Sequence, residues 1–408
     1  MEIDAGAAGF DARRLARIDE HLSRSYVEPG KIAGCQTLVV RRGKVAHLSS
    51  LGSMDLERGR PVQDDTIWRL YSMTKPITGV ALMTLYERGH FQLNDPVHRF
   101  IPAWRSIKVS DRDADGSSRL VDPVRPPTVR DVLMHTAGLG YGPANADLAL
   151  PEPGSGTRGF TTDRYESLEM LVDELASAPL RFHPGTHWLY SFGTDVCARL
   201  VEIISGMRFD DYLQQELFDP LGMVDTGFVV GDDDVERFAT GYGRNSKKQL
   251  VVVDDPDESP YRKPRSFLSG GGGLVGTIAD YYRFCQMLLG GGALEGVRIL
   301  APRTVELMTI NHLPGGGQLA DVARPGAYGE TGFEGMGFGL TMAVSRGPAE
   351  TGVAGTPGEF MWGGAASTTF WVAPVDELVV VFMTQLIPSG TFNFRGQLKA
   401  LVHGAMTD

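Results

Sequence analysis

The sequence has few cysteines and no long apolar run. Only three cysteines occur among its 408 residues, at positions 35, 197 and 285. Because they are odd in number, dispersed and flanked by apolar residues, we expect free structural thiols in a reducing compartment. The apolar run Leu378–Met383 is far shorter than the roughly 20 residues that a membrane-spanning helix needs. It predicts a buried strand.

Positively charged residues are outnumbered by negatively charged ones. The formal net charge at pH 7 is -11, which argues against nucleic acid or an anionic membrane surface as a partner. The N-terminal residues contain neither a basic segment nor an apolar segment of the kind found in signal peptides, so we expect a cytoplasmic protein. The content of hydrophobic residues (42%) and charged residues (22%) is that of an ordinary globular protein.

Several catalytic and metal-binding motifs are missing from the sequence. No G-x-S-x-G occurs, which argues against an α/β-hydrolase. No H-E-x-x-H or paired-cysteine spacing occurs, and His183 and His187 are separated by Pro-Gly and cannot share a helical face. The Gly270–Gly273 run lacks a preceding strand and a following Lys-Ser/Thr, so a phosphate-binding loop is not predicted. We expect no metal and no organic cofactor.

Ser72-Met73-Thr74-Lys75 is the most informative motif that is present. At i and i+3 of a helix, the serine hydroxyl and the lysine amine lie on one face, where the amine can take the proton from the hydroxyl. The apolar residues that follow predict a helix over 72–88, and Pro76 is tolerated only near the start of such a helix. Ser72 would then lie close to the free N–H groups of the first turn, which favour a developing anion.

The pattern along the chain predicts strands at both ends and helices in the middle. We expect helices over 11–25, 128–134, 167–178, 194–205, 209–217, 277–289 and 394–402, and strands over 36–41, 45–51, 337–344, 368–372 and 378–383. The segments 111–119 and 145–158 are predicted to be surface loops. This order predicts an α/β fold formed by residues 1–90 and 236–408, with a mostly helical insertion over 91–235.

Two further clusters have the residue types that a Ser-Lys pair requires. Tyr190, just before a predicted helix, could relay a proton to a leaving group if adjacent positive charge lowered its pKa. The segment Met361–Ala365 has two glycines before a strand, and a backbone N–H there could complete an oxyanion hole with that of Ser72. Taken singly, these residues are better explained as a packing tyrosine and an ordinary Gly-Gly turn.

Together the order and spacing of Ser72-x-x-Lys75, Tyr190 and Trp362-Gly363-Gly364 resemble the penicillin-recognising serine hydrolases of the class C β-lactamase-like branch. Within that branch the sequence is most similar to the family VIII carboxylesterases. The likeness runs from about residue 10 to the C-terminus. Further matching segments are 133–139, 184–191, 220–227 and 272–275.

The resemblance implies a β-lactamase-like fold with an antiparallel sheet flanked by helices and an active site between the two parts. It implies Ser72 as the nucleophile, Lys75 as its base and Tyr190 as the group that shares the proton with Lys75. The oxyanion would lie between the N–H groups of Ser72 and Ala365. The residues implied at the substrate are Trp362, Gly363, Gly364, Phe192 and Tyr141. His135 is more readily explained as a structural histidine than as a catalytic base.

Two departures from the β-lactamase pattern favour an esterase. The third position of Tyr-x-Asn is Phe192 here, and Trp362 stands where the lactamases have the lysine of Lys-Thr-Gly. The asparagine and lysine would bind the amide and carboxylate of a lactam, so their replacement by apolar residues favours uncharged acyl and alkoxy groups. We therefore expect a carboxylesterase for small, short-acyl esters. The alternatives are a class C-like β-lactamase, a D-amino-acid peptidase, an acyltransferase and a non-catalytic sensor module of penicillin-binding fold. The sequence does not indicate the oligomeric state.

Overall fold

The computed structural model describes residues 2–112, 118–141, 165–325 and 327–408. The predicted loop over 145–158 lies outside these ranges. In the described part of the chain, no helix is long and apolar enough to cross a membrane. The three cysteines are free and buried, as the sequence predicted.

The strands, in chain order, are β1 Gly34–Arg41, β2 Lys44–Asp55, β3 Arg60–Pro61, β4 Trp68–Arg69, β5 Val109–Arg112, β6 Ser118–Val121, β7 Gly241–Arg244, β8 Leu250–Asp254, β9 Val275–Gly276, β10 Ala293–Leu294, β11 Val297–Arg298, β12 Met336–Phe338, β13 Ala343–Ser345, β14 Phe360–Gly363, β15 Thr369–Ala373, β16 Leu378–Thr384 and β17 Leu386–Ile387. The α-helices are α1 Ala12–Leu15, α2 Arg17–Leu22, α3 Thr74–Glu87, α4 Val129–Leu133, α5 Leu168–Ser177, α6 Gly193–Ser205, α7 Phe209–Leu213, α8 Asp219–Leu221, α9 Ile278–Leu289, α10 Pro302–Thr309, α11 Leu319–Val322, α12 Pro348–Thr351 and α13 Phe394–His403.

The main sheet brings strands from both ends of the chain together. Within the described residues it has eight strands in the order β12-β13-β14-β15-β16-β1-β2-β3, and neighbouring strands are antiparallel. Every residue of β1 and β16 is buried, which explains their nearly continuous apolar sequences. The predicted antiparallel sheet flanked by helices is confirmed. The division into residues 1–90 with 236–408 and an insertion over 91–235 stays a prediction.

The N-terminal helix is shorter and more irregular than predicted. In place of one helix over 11–25, α1 and α2 are followed by a π-helical turn over Ser23–Val27. Asp11 caps α1 by accepting hydrogen bonds from the backbone N–H groups of Arg13 and Arg14. Leu15, Ile18 and Leu22, spaced as on one face of a helix, are all buried.

Predictions for three segments need correction. The segment 111–119 was predicted to be a loop, but its described ends belong to β5 and β6, which pair antiparallel with Asp111 opposite Arg119; residues 113–117 lie outside the described ranges. The predicted strand over 337–344 is two strands, β12 and β13, because Thr341 has a left-handed φ of 72° and the chain reverses there. Met361 and Trp362, predicted only to lead into a strand, belong to β14.

Helix α3 is buried along almost its whole length. The structure begins it at Thr74, after a 3-10 turn over Tyr71–Met73, so Ser72 lies in the turn that leads into the helix. Pro76 occupies the first turn of α3, where its missing N–H costs nothing. Helix α6 packs against α3, and this contact places the segment around Tyr190 beside the Ser-Lys pair.

Candidate active site

Ser72 and Lys75 form the centre of the site. Lys75 Nζ lies 3.2 Å from Ser72 Oγ, within hydrogen-bond distance. Both residues are buried, and the preceding Tyr71 has a φ of 44°, an uncommon left-handed conformation for a residue with a side chain. The predicted Ser-Lys contact is therefore present, and it follows directly from the three-residue spacing.

Burial sets the protonation of Lys75. It lowers the pKa of the amine to about 8, while the negative charges of Asp195 and Glu330 act in the opposite direction. The amine also donates a hydrogen bond to the carbonyl oxygen of Gly271 at 2.6 Å. A lysine with its ordinary pKa of about 10.4 would be almost fully protonated at neutral pH. In this site a useful fraction is neutral and can accept a proton.

Tyr190 lies against the same amine. The centroid of its ring is 4.5 Å from Lys75 Nζ, and its phenolic oxygen accepts a hydrogen bond from Trp362 Nε1 at 3.1 Å. The condition stated from the sequence, a pKa lowered by adjacent positive charge, is not met. Burial, followed by the charge of Glu330, raises the pKa of Tyr190 well above its ordinary value, and hydrogen bonds with Ser72 and Trp362 lower it only in part. Tyr190 is therefore a neutral phenol at working pH.

His135 packs beside Tyr190. Among the described residues, it makes no hydrogen bond to Ser72 or Lys75. Its Nδ1 lies 3.0 Å from Ser191 Oγ, and its ring centroid is 4.9 Å from that of Tyr190. Burial, with a smaller contribution from the Lys75 charge, lowers the pKa of His135 well below its ordinary value. A neutral His135 that holds Ser191, the residue after Tyr190, agrees with the expectation of a structural rather than a catalytic histidine.

Gly363 and Gly364 lie where there is no space for a side chain. A side chain at Gly364 would collide with the carbonyl oxygen of Leu70, two residues before Ser72, and one at Gly363 would collide with Arg395. Gly364 N donates to Thr368 O at 3.0 Å, which closes the turn from β14 into β15. The turn that contains Ala365 is therefore pressed against the segment that carries Ser72.

Two aromatic side chains border the reacting groups. Tyr141 and Phe192 are partly exposed, and their ring centroids are 4.7 Å apart. Tyr141 lies 5.4 Å from the Tyr190 ring and 5.6 Å from Lys75 Nζ. Trp362, by contrast, is completely buried. Its Nε1 donates to the Tyr190 hydroxyl, a contact that was not expected from the sequence.

The structure also brings together residues that the sequence analysis overlooked. Asp195 and Glu330 are buried carboxylates whose charges act on Lys75. Gly271 belongs to the Gly270–Gly273 run, which was not predicted to bind phosphate and to which no catalytic role was assigned. In the described part of the chain, no group of three or more His, Cys, Asp or Glu residues could hold a metal ion. From the sequence, Asp195 could have been found only by its position in the first turn of the helix that follows Tyr190.

Comparison with known proteins places this geometry in a family. The family model described as Beta-lactamase matches residues 20–403, nearly the whole chain and all the residues of the site. The chain belongs to the beta-lactamase family. This confirms the resemblance inferred from the motifs at the level of the family and the penicillin-binding-like fold.

Relatives of this beta-lactamase family member include esterases. Esterase EstB of Burkholderia gladioli is 32% identical over 416 residues, covering 95% of this chain and 95% of that protein. Lovastatin esterase of Penicillium rubens is 29% identical and covers 71% of each chain. Among solved structures, EstCE1, described as a hydrolase with promiscuous acyltransferase activity, is 26% identical with a TM-score of 0.76, covering 97% of this chain and 99% of that one.

Proposed function

We propose that this protein is a serine carboxylesterase that hydrolyses small, short-acyl esters through a covalent acyl-Ser72 intermediate. The observation that carries the proposal is the 3.2 Å contact between Lys75 Nζ and Ser72 Oγ, with an amine whose pKa is about 8. The similarity to EstB and to EstCE1 supports an ester as the substrate. Assignment to the family VIII carboxylesterases is part of the proposal.

In the proposed mechanism, neutral Lys75 accepts the hydroxyl proton as Ser72 Oγ attacks the ester carbonyl. The developing oxyanion accepts hydrogen bonds from the N–H groups of Ser72 and Ala365. Tyr190, a neutral phenol in contact with Lys75, donates a proton to the leaving alkoxide and is reprotonated by the lysine. Water then attacks the acyl-enzyme by the same route in reverse, and the acid is released.

The apolar walls of the site favour uncharged substrates. Tyr141 and Phe192 are the partly exposed aromatics next to the reacting groups, and Trp362 occupies the place of a lactamase lysine. The neighbouring cation, Arg395, lies against Gly363 but is already paired with Glu330, so it offers little compensation for burying a substrate carboxylate. We therefore favour the esterase over the class C-like β-lactamase and the D-amino-acid peptidase. The predicted cytoplasmic location stays a prediction.

The test compares p-nitrophenyl butyrate with a chromogenic cephalosporin. We expect rapid turnover of the ester and little of the lactam. Faster turnover of the cephalosporin would refute the preference for esters. Intact-mass and peptide mapping after a fluorophosphonate probe should place the adduct on Ser72.

Two variants test the assigned roles. Ser72→Ala should abolish ester hydrolysis, and unchanged hydrolysis would point to another site or to the sensor-module alternative. Tyr190→Phe should lower kcat about 100-fold or more, the usual scale for a removed acid–base group. A near-normal rate would contradict the proton-relay role.

Acyl transfer is the second candidate function. An acyl-enzyme can be taken by an alcohol or amine in place of water, and the similarity to EstCE1, described as having promiscuous acyltransferase activity, favours including this route. Adding a primary alcohol to the ester assay should divert part of the product to a new ester, measured by chromatography. Product that remains entirely acid at high alcohol concentration would exclude the transfer route.

A further inference from the structure

Asp195 is a buried carboxylate that the proposed mechanism does not use. It lies in the first turn of α6, five residues after Tyr190, and is 1% exposed. Among the residues that the structure describes, no arginine or lysine lies within ion-pairing distance of it. Its Oδ1 accepts hydrogen bonds from Ser269 Oγ at 2.6 Å and Gly271 N at 3.1 Å. Burying a carboxylate is costly, so its presence beside the site calls for a function.

The segment Gly270–Gly273, which we call the glycine strap, connects Asp195 with Lys75. The backbone N–H of Gly271 faces Asp195, and the carbonyl of the same residue accepts the hydrogen bond from Lys75 Nζ. Thr78 Oγ1 also donates to Gly270 O at 2.8 Å, which fixes the strap to α3. A side chain at Gly271 would come within 2.6 Å of Asp195 Oδ2. Glycine is therefore required for this close approach.

We propose that Asp195 is a positioning residue for the Lys75 base. Through Gly271 it fixes the carbonyl that orients the amine, and its negative charge stabilises the ammonium that forms when Ser72 gives up its proton. The proposal rests on the proposed function, because it assigns a role in the same reaction. It extends the site beyond Ser72, Lys75 and Tyr190 to a residue on α6.

The electrostatics around Lys75 agree with this geometry. Asp195 is the leading charge that opposes the effect of burial on the amine, ahead of Glu330. Glu330 has its own partners, since Tyr328, Ser389 and Arg395 all donate hydrogen bonds to it.

The other titratable groups that face the amine stay neutral. Burial keeps His135 neutral by lowering its pKa, and it keeps Tyr141 and Tyr190 neutral by raising theirs. Burial also raises the pKa of Asp195 itself, while Ser269 and the Lys75 charge oppose that rise. Asp195 and Lys75 are therefore expected to titrate as a coupled pair.

The experiment compares Asp195→Asn with a matched control, Asp280→Asn. Asp280 is also buried in the first turn of a helix, and its Oδ2 also accepts one hydroxyl, from Thr226, and one backbone N–H, from Asp225. Its carboxylate is not among the charges that act on Lys75. For each variant, kcat and kcat/KM on p-nitrophenyl butyrate are measured from pH 5 to 10, with thermal unfolding as the check on folding.

The asparagine keeps an acceptor oxygen and removes the charge. We expect the acidic limb of kcat/KM in Asp195→Asn to move to lower pH by roughly half a unit or more, since a nearby opposite charge shifts a pKa by about that much or more. The plateau kcat should fall about tenfold. Asp195→Ala should lose more kcat, because Gly271 N–H then has no acceptor. Asp280→Asn should lower stability and leave the limb in place.

An unchanged limb in Asp195→Asn, or an equal shift in Asp280→Asn, would overturn the inference. The pH dependence of fluorophosphonate labelling at Ser72 gives a readout that does not require the right ester. Wild-type protein that is labelled but hydrolyses no ester would refute the proposed substrate class, and the labelling limb would still decide the role of Asp195. Wild-type protein that is neither labelled nor active would refute the nucleophile and the inference together.

Discussion

At the scale of single residues, the protonation of Lys75 controls the proposed chemistry. Its pKa of about 8 lies below the ordinary value chiefly because of burial. The base must be neutral to accept the Ser72 proton, so activity should be lost as the pH falls through this value. We predict that kcat/KM rises tenfold per pH unit up to about pH 8 and then levels off, measured with p-nitrophenyl butyrate. A flat profile between pH 6 and 9 would contradict a lysine base.

A second residue-scale prediction concerns Trp362. Its Nε1 donates to the phenolic oxygen of Tyr190, so Trp362→Phe should keep the ring and lose the donor. We expect kcat to fall about tenfold, the scale of a lost hydrogen bond of roughly 1.4 kcal/mol, with KM little changed. The expectation from sequence that Trp362 lies at the substrate stays a prediction.

The control for Trp362 is Trp371 on the adjacent strand β15. Trp371 is equally buried, and its Nε1 has no hydrogen-bond partner among the described residues. Trp371→Phe should therefore leave kcat near the wild-type value. Equal losses in the two variants would indicate a packing effect and remove the positioning role of Trp362.

At the scale of elements, the turn between β14 and β15 must lie close to the segment that carries Ser72. Gly364→Ala would push a methyl group into the carbonyl of Leu70. We predict that kcat/KM falls about 100-fold or more, because small displacements of reacting groups have effects of that size. Gly227→Ala is the matched control, since a side chain there meets open space. If both variants keep wild-type rates, the turn does not determine the oxyanion geometry.

Elements whose signal is local were well predicted from the sequence. The strand over 378–383, the helix over 277–289 and the Ser72–Lys75 spacing depend on periodicity and on neighbours in the chain, and the structure contains all three within a few residues. The three-residue spacing alone was enough to place the amine beside the hydroxyl.

Features that depend on tertiary contacts could not be predicted in this way. The sequence does not show that the Gly271 carbonyl meets Lys75 or that the Trp362 indole meets Tyr190, because each contact joins segments more than 170 residues apart. The direction of the Tyr190 pKa shift failed for the same reason: it depends on how deeply the ring is buried. The strands β5 and β6 are short and polar, so their sequences resemble those of loops.

At the scale of the whole molecule, the centre of the main sheet should dominate stability. Leu38 on β1 is completely buried and pairs with Val381 on one side and Leu48 on the other. Leu38→Ala should lower the free energy of unfolding by about 2–5 kcal/mol through lost burial and a cavity. Val224→Ala, at a residue 85% exposed, should change it by less than about 0.5 kcal/mol. Urea denaturation measures the free energy of unfolding of both variants. Similar losses in the two would contradict a dominant contribution of the sheet centre to stability.

The three buried thiols report on how the molecule opens. Cys35 lies in a central strand, Cys197 in the helix after Tyr190 and Cys285 in α9, and burial raises the pKa of each thiol. A protonated, enclosed sulfur cannot react with iodoacetamide until its surroundings separate. The alkylation rates at the three positions would therefore measure separately how often the sheet and each of the two helices open. Equal rates would mean that the sheet and both helices open as one unit, and a faster rate at Cys197 would mean that α6, which packs against the helix of Lys75, opens first.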